Sequence, residues 1–219
     1  MNPPASTPAV TTDATVFVVD DDASFRQAIS RLLRATGHRV EAFASAAEFL
    51  ARLHTPPSPA GCALIDLNMP GQDGLELQAT LARSRHPLPI VFLTGRGDIP
   101  SSVRAMRHGA EDFLTKLGPQ EAVLAAVERA LQRHAREQAE RDQRQALVDR
   151  LNRLTPREHE VLHAVLQGAL NKQIAATLAI DERSVKRHRT SFMAKLGVDC
   201  VARLVELTHA AGYPSPKGP

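Results

Sequence analysis

TVFVVDDDASFRQAISRLLRATGHRVEAF, residues 15–43, decides the fold of the first half of the chain. A short apolar run (Val16–Val19) ends in three acids, Asp20, Asp21 and Asp22. A helical pattern over Ser24–Ala35 follows, and then a second short strand, Arg39–Phe43. Apolar runs of this length that alternate with helical periodicity read as strands joined by helices. The alternation continues outward. Further strands are expected at Ala63–Ile65, Ile90–Leu93 and Asp112–Leu114, with helices at about Ala46–Leu53, Gly74–Arg83, Val103–His108 and from Gln120 onward. Such an order implies a parallel sheet covered by helices on both faces. Five strands and five helices give a flavodoxin-like doubly wound α/β domain, whose site lies at the carboxyl ends of the strands.

At those ends stand Asp20 and Asp21 after the first strand and Asp66 after the third. Clustered carboxylates repel one another unless a cation is present, and an all-oxygen site suits Mg²⁺. An aspartate beside such a metal can attack a phosphoryl group. Thr94 ends the fourth strand and Lys116 follows the fifth, so that a hydroxyl and an ammonium are available for the remaining phosphoryl oxygens. Asp22 reads as a turn residue that caps the first helix.

The second half of the chain differs. After Leu131 the apolar spacing thins into QRHAREQAERDQRQ, a run without Gly or Pro that continues the fifth helix as a charged helical linker over 135–150; a flexible charged linker is the alternative. From there the pattern is all-α. Thr155-Pro156-Arg157-Glu158 is a capping box with proline at the first helical position, which starts a helix that runs to about Gln167 and stops at Gly168. Asn171 is expected to cap a second helix through Leu178, and Asp181 a third through Leu196. A fourth is expected from Cys200 to Ala211. Four short helices with a tight turn between the second and third form a helix-turn-helix arrangement. In the third helix Val185, His188 or Arg189, Phe192 and Leu196 are expected to face the core, which turns Arg183, Lys186, Arg187 and Thr190 outward.

Composition agrees with this division. The chain has 219 residues, 43% hydrophobic and 23% charged, which suits one or two globular domains. From Arg150 onward it carries 11 Lys/Arg against 6 Asp/Glu, leaving 16 against 18 before that point, so the basic end is the candidate nucleic-acid surface. No apolar run reaches the length needed to span a bilayer, and Met1–Thr15 lacks a signal pattern; a cytoplasmic protein without membrane association is expected. Cys62 and Cys200 fall in different domains, exclude a disulfide framework and are expected in the two cores.

VFVVDDD (16–22), LIDLNMPGQDG (64–74), IVFLTGRGDIP (90–100) and RHGAEDFLTK (107–116) resemble, in order and spacing, the receiver domain of two-component response regulators. LTPREHEVL (154–162), GALNKQIAATLAI (168–180) and ERSVKRHRTSFMAKLGV (182–198) resemble the LuxR-type helix-turn-helix domain, and the pair together is similar to the NarL/FixJ subfamily. The resemblance implies a tail over 1–14, a receiver over 15–134, the linker over 135–150, a DNA-binding domain over 151–212 and a second tail over 213–219. It implies that Asp66 accepts phosphate from a sensor histidine kinase, that Asp21, Asp66 and the Asn68 carbonyl ligate Mg²⁺, and that Asp20 helps through water. Thr94 and Phe113 would be the switch pair and Lys116 the phosphate clamp. At the other end Lys186, Arg187 and Thr190 would reach bases of promoter DNA, with Asn171, Lys172 and Arg189 near phosphates. Cys200–Ala211 would be a dimerisation helix. A homodimer on phosphorylation is expected, with RNA polymerase a candidate partner.

The chain departs from the receiver pattern at Leu117, where the family has a proline that is often cis. A cis bond without proline costs about 3 kcal/mol, so a trans peptide is expected there, leaving room for Lys116 to be displaced. A competing motif is His159-Glu160-Val161-Leu162-His163, which spells the H-E-x-x-H of zinc peptidases. Its extended continuation is absent, and Val161, Leu162 and Val165 are needed for the helical core. A regulator that turns over no metabolite, rather than an enzyme, is the expectation, the other alternative being a DNA-binding regulator with a degenerate receiver that acts without phosphorylation.

Overall fold

The computed structural model describes residues 14–55, 60–83, 88–95 and 99–213. The tails expected over 1–14 and 213–219 therefore lie outside the described residues, except for Ala14 and Tyr213. Along the chain run β1 (Thr15–Val19), α1 (Ala23–Ala35), β2 (Arg39–Phe43), α2 (Ala46–Leu53), β3 (Gly61–Asp66), α3 (Gly74–Ala82), β4 (Ile90–Thr94), α4 (Ile99–Arg107), β5 (Asp112–Thr115) and α5 (Gln120–Asn152). The five strands form one parallel sheet in the order β2-β1-β3-β4-β5, the flavodoxin-like arrangement expected.

Because side chains alternate across a strand, each of the inner strands feeds two cores. Phe17, Val19, Ala63, Ile65 and Phe92 point to one face and pack with Phe49 of α2, Leu77 and Leu81 of α3 and Ala105 of α4. Val16, Val18, Cys62, Leu64, Val91 and Leu93 point to the other, against Ile29 and Leu33 of α1 and Val123, Ala126, Val127 and Ala130 of α5. The register sets Val19 beside Ile65 and Asp66 beside Leu93, so β1, β3 and β4 finish together and their last side chains share one rim.

Several boundaries differ from the sequence reading. β3 begins at Gly61, where it pairs with Thr15, and includes Asp66, which is its last residue rather than the one after it. α4 begins at Ile99, four residues before Val103, because Pro100 sits in the first turn, where a missing N–H costs nothing. Asp22 caps α1 as expected: its carboxylate accepts from Ser24 N and Phe25 N.

Contacts divide the chain into two compact units at Glu137/Gln138. The expected charged linker is helical, and α5 runs without interruption through that division for 33 residues. Its first turns belong to the sheet's core, while Leu147, Val148 and Leu151 belong to the core of the second unit.

In the second unit, α6 (Pro156–Leu166), α7 (Asn171–Leu178), α8 (Glu182–Leu196) and α9 (Val201–Ala210) surround Leu162, Ile174, Val185, Phe192, Leu196 and Leu204. The capping box at Thr155 and Glu158 is present with both bonds. α7 departs from expectation. Its cap is Leu170, whose N–H donates to the Gln173 side chain at 2.8 Å, and Asn171 is already the first helical residue. Of the expected core stripe in α8, Val185, Phe192 and Leu196 are buried, whereas His188 and Arg189 are both half-buried at its border. Cys62 is buried, but Cys200 is exposed. Cys200 lies one turn before the buried Leu204, yet its extended backbone at the start of α9 (φ −143°, ψ 162°) turns it away from the core.

Candidate functional site

The turn after β1 is wound around the first carboxylate. Asp20, 2% exposed, accepts the Asp22 N–H at 2.9 Å, and the Arg26 guanidinium donates to the Asp20 carbonyl at 2.5 Å. Asp66 reaches the same rim from β3, and the chain beyond it folds back so that Asn68 N–H points to Asp66 Oδ1 at 3.4 Å. Gly74 makes that approach feasible: a Cβ on it would stand 2.6 Å from the Asp66 carbonyl oxygen and 2.9 Å from the Phe92 ring. Asp20, Asp21 and Asp66 bring carboxylate oxygens within 4.8 Å of one another; Asp20 and Asp66 are buried and Asp21 is exposed.

Lys116 enters this cluster from the end of β5. Its Nζ lies 2.7 Å from Asp20 Oδ2 and 3.0 Å from Asp66 Oδ2. The expected displacement of Lys116 is not found. The lysine's own N–H donates to the Thr94 carbonyl at 2.8 Å and Gly118 N–H to the Thr115 carbonyl at 3.0 Å, so the backbone of the turn is fixed while Leu117 projects 92% exposed. Burial works against the ammonium, but the hydrogen bonds from Lys116 to Asp20 and Asp66 more than offset it and its pKa is raised. Burial also raises Asp20, and Lys116 only partly counters that. Asp20 and Asp66 share this one ammonium while Asp21 adds a third carboxylate to the cluster, and the excess of hard oxygen donors fits a divalent cation of the Mg²⁺ kind.

Thr94 is fully buried at the end of β4, and Phe113 is half-buried on β5 with its ring centroid 6.1 Å from that of Phe92. Two residues at the rim escaped the sequence reading. Arg26 holds the turn, and the Phe25 ring lies under the Lys116 ammonium, 4.7 Å from Nζ to centroid. In the sequence Phe25 carries only the periodicity of a core helix residue.

In the second unit, Arg183, Lys186, Arg187 and Thr190 are exposed along the first half of α8, and Lys172 is exposed on α7. Arg189 is half-buried and donates to Asn171 Oδ1 at 2.7 Å, so these two side chains tie α7 to α8. A second tie joins α6 to α8, where the buried Glu158 accepts from the half-buried Ser191 Oγ at 2.7 Å and from the exposed Lys195 Nζ at 2.6 Å. The H-E-x-x-H residues have other partners. His159 Nδ1 meets the Tyr213 hydroxyl at 3.0 Å, Glu160 pairs with Arg157 at 2.5 Å, and His163 meets Gln167 at 3.0 Å.

A doubly wound domain with an acid-and-lysine rim, followed by a helix-turn-helix unit, defines the class as a signal-receiving regulator. Residues 16–128 match the response regulator receiver domain, and residues 152–210 match the bacterial regulatory proteins of the luxR family. Nodulation protein W of Bradyrhizobium diazoefficiens is 39% identical over 201 residues, covering 92% of this chain and 88% of that protein. Transcriptional regulatory protein FixJ of the same organism is 34% identical over 203 residues, covering 93% and 98%. The solved structure of response regulator StyR superposes with a TM-score of 0.79 at 45% identity, covering 90% of this chain and 98% of that one. The chain belongs to the response regulators of the NarL/FixJ type, in which a receiver domain is joined to a LuxR-type DNA-binding domain. It is a regulator of transcription; its receiver implies a histidine kinase as phosphodonor and its second domain implies DNA binding. The zinc peptidase alternative is not favoured by these matches. Among the described residues no helix is long and apolar enough to cross a membrane.

Proposed function

We propose that Asp66 is the phosphoacceptor and that its phosphorylation controls promoter binding by the second domain. The observation that carries the reading is the rim itself: Asp66 and Asp20 share the ammonium of Lys116 while Asp21 adds a third carboxylate. A carboxylate oxygen of Asp66 attacks phosphorus, and the new P–O bond forms as the P–N bond to the kinase's phosphohistidine breaks; the electron pair leaves with the imidazole. Asp21, Asp66 and the Asn68 carbonyl would hold Mg²⁺, with Asp20 acting through water. The ion supplies positive charge to the transferred phosphoryl oxygens. Lys116 then donates to one phosphoryl oxygen and Thr94 to another, and the inward movement of Thr94 and Phe113 biases the α4–β5 face.

That face is suited to pairing. Ile99 is 80% exposed on α4, with Val103 and Met106 also exposed, an apolar surface that a second receiver would cover. Pairing raises the effective concentration of the second DNA-binding domain at a two-fold site, with α9 as a further contact between copies. On DNA, Lys186, Arg187 and Thr190 read bases from α8, and Lys172, Asn171 and Arg189 lie near the backbone. We take the domains to be a receiver over 15–134, a helical linker over 135–150 and a DNA-binding domain over 151–212. The protein works in the cytoplasm, where its promoter and RNA polymerase are, and turns over no metabolite.

Intact mass after incubation with Mg²⁺ and a small acyl-phosphate donor tests the reading. One Mg²⁺-dependent phosphoryl adduct in the wild type and none in Asp66→Asn is expected. An adduct that persists in Asp66→Asn, or phosphorylated protein that stays monomeric and binds DNA no better, would overturn it.

A further inference from the structure

We propose that Phe25 is the positioning residue for Lys116, holding its ammonium at the mouth of the acidic rim by a cation–π contact. The proposal rests on the reading of Asp66 as phosphoacceptor. Lys116 is otherwise held by its backbone and by the two carboxylates, and Leu117, 92% exposed, adds little packing to the turn. Phe25 supplies the missing wall. Its N–H is bound at 3.2 Å by Asp22, the cap of α1, and its ring is partly buried against the core between α1 and α5. With Nζ 4.7 Å from the ring centroid, the ammonium is inside the roughly 6 Å range in which the negative ring face attracts a cation. An aliphatic side chain there would fill space without attracting charge.

The ring also has a property that the carboxylates lack. When Asp66 becomes an acyl phosphate, its charge and geometry change, and Lys116 must exchange a carboxylate oxygen for a phosphoryl oxygen. The Phe25 ring is the same before and after, so it keeps Nζ at the rim through the exchange. Phe25 touches the lysine and not the reacting atoms.

Two measurements on the full chain test this, one of which needs no phosphorylation. By NMR, the Lys116 ε-methylene protons should show an upfield ring-current shift that is kept in Phe25→Tyr and lost in Phe25→Leu. With Mg²⁺ and a small acyl-phosphate donor, Phe25→Leu should slow adduct formation on the order of three- to tenfold, and Phe25→Tyr should restore it. In a Lys116→Met background, Phe25→Leu should cost nothing more. Progressive fluorination of the Phe25 ring keeps its shape and weakens its face, so the rate should fall stepwise with each fluorine even if Phe25→Leu folds poorly. An equal loss in the Lys116→Met background, rates indifferent to fluorination, or the absence of the ring-current shift would overturn the proposal. A wild type that accepts no phosphoryl group but shows the shift would sink the Asp66 reading and leave the Phe25–Lys116 contact standing.

Discussion

The two units of this regulator each bury carboxylates against a lysine, and the outcomes are opposite. In the receiver, Asp20 and Asp66 share Lys116, the exposed Asp21 adds a third carboxylate beside them, and burial leaves Asp20 with a raised pKa. In the DNA-binding unit the single carboxylate of Glu158 has Lys195, Ser191 and the Thr155 N–H to itself. Burial works to raise Glu158, but these hydrogen bonds outweigh it and bring its pKa down to about 2. The difference is the ratio of donors to carboxylates. An excess of carboxylate is a demand for a cation or a reaction, whereas a fully satisfied carboxylate is a structural tie, here one that fixes α8 against α6.

The sharpest way to break this comparison is to neutralise one carboxylate in each unit. Asp66→Asn should abolish the phosphoryl adduct and leave thermal stability intact or improved, since it removes repulsion. Glu158→Gln should do the reverse: phosphorylation unchanged, and the second unit destabilised by about 2 kcal/mol at neutral pH, measured by thermal or urea unfolding. Because the folded-state pKa of Glu158 lies below its ordinary value of 4.5, its contribution is fully present above that value and disappears as the pH falls toward about 2. The wild type and Glu158→Gln should therefore converge in stability across that acidic window; a constant gap would show that the tie is not ionic.

A comparable effect is expected from the cation. Mg²⁺ at about a hundred times its dissociation constant should stabilise the receiver by about 2.7 kcal/mol, raising its melting midpoint without moving that of the DNA-binding unit. Asp21→Asn should remove the shift. Smaller in stability is Arg187→Ala, which changes an exposed side chain and should leave unfolding within about 0.5 kcal/mol of the wild type. Its binding to promoter DNA should weaken by about 1–3 kcal/mol with relaxed preference at one base pair, read by titration across sequences. The smallest effect belongs to Ala179, whose φ of +52° in the turn between α7 and α8 is left-handed. Ala179→Gly should stabilise the second unit by roughly 0.5 kcal/mol in an unfolding titration, the relief of left-handed strain exceeding the added entropy of the unfolded chain.

Both folds were legible because local signals agreed with global ones. Apolar strands alternated with helical patterns in the first half, and Thr155-Pro156-Arg157-Glu158, Gly168 and Asp181 marked helix ends in the second. The acids and Lys116 were legible because strand ends in a parallel sheet open on one edge. What was misread depended on neighbours. Leu117 taken by itself leaves room for a displaced Lys116, whereas the hydrogen bond to Thr94 and the pull of Asp20 and Asp66 act from other strands. Cys200 has the composition of a core residue and the backbone of a helix start, and the backbone decides.

By itself, then, the sequence determined the order of the elements, the hydrophobic cores, the acidic rim and the basic face of α8, because periodicity, caps and charge are properties of neighbouring residues. Only the tertiary structure decided who meets whom: Lys116 between Asp20 and Asp66, Phe25 beneath it, Arg189 on Asn171 and Lys195 on Glu158. Each of those contacts joins residues from different elements, and their distances follow from the sheet register and the packing of helices, which no local pattern encodes.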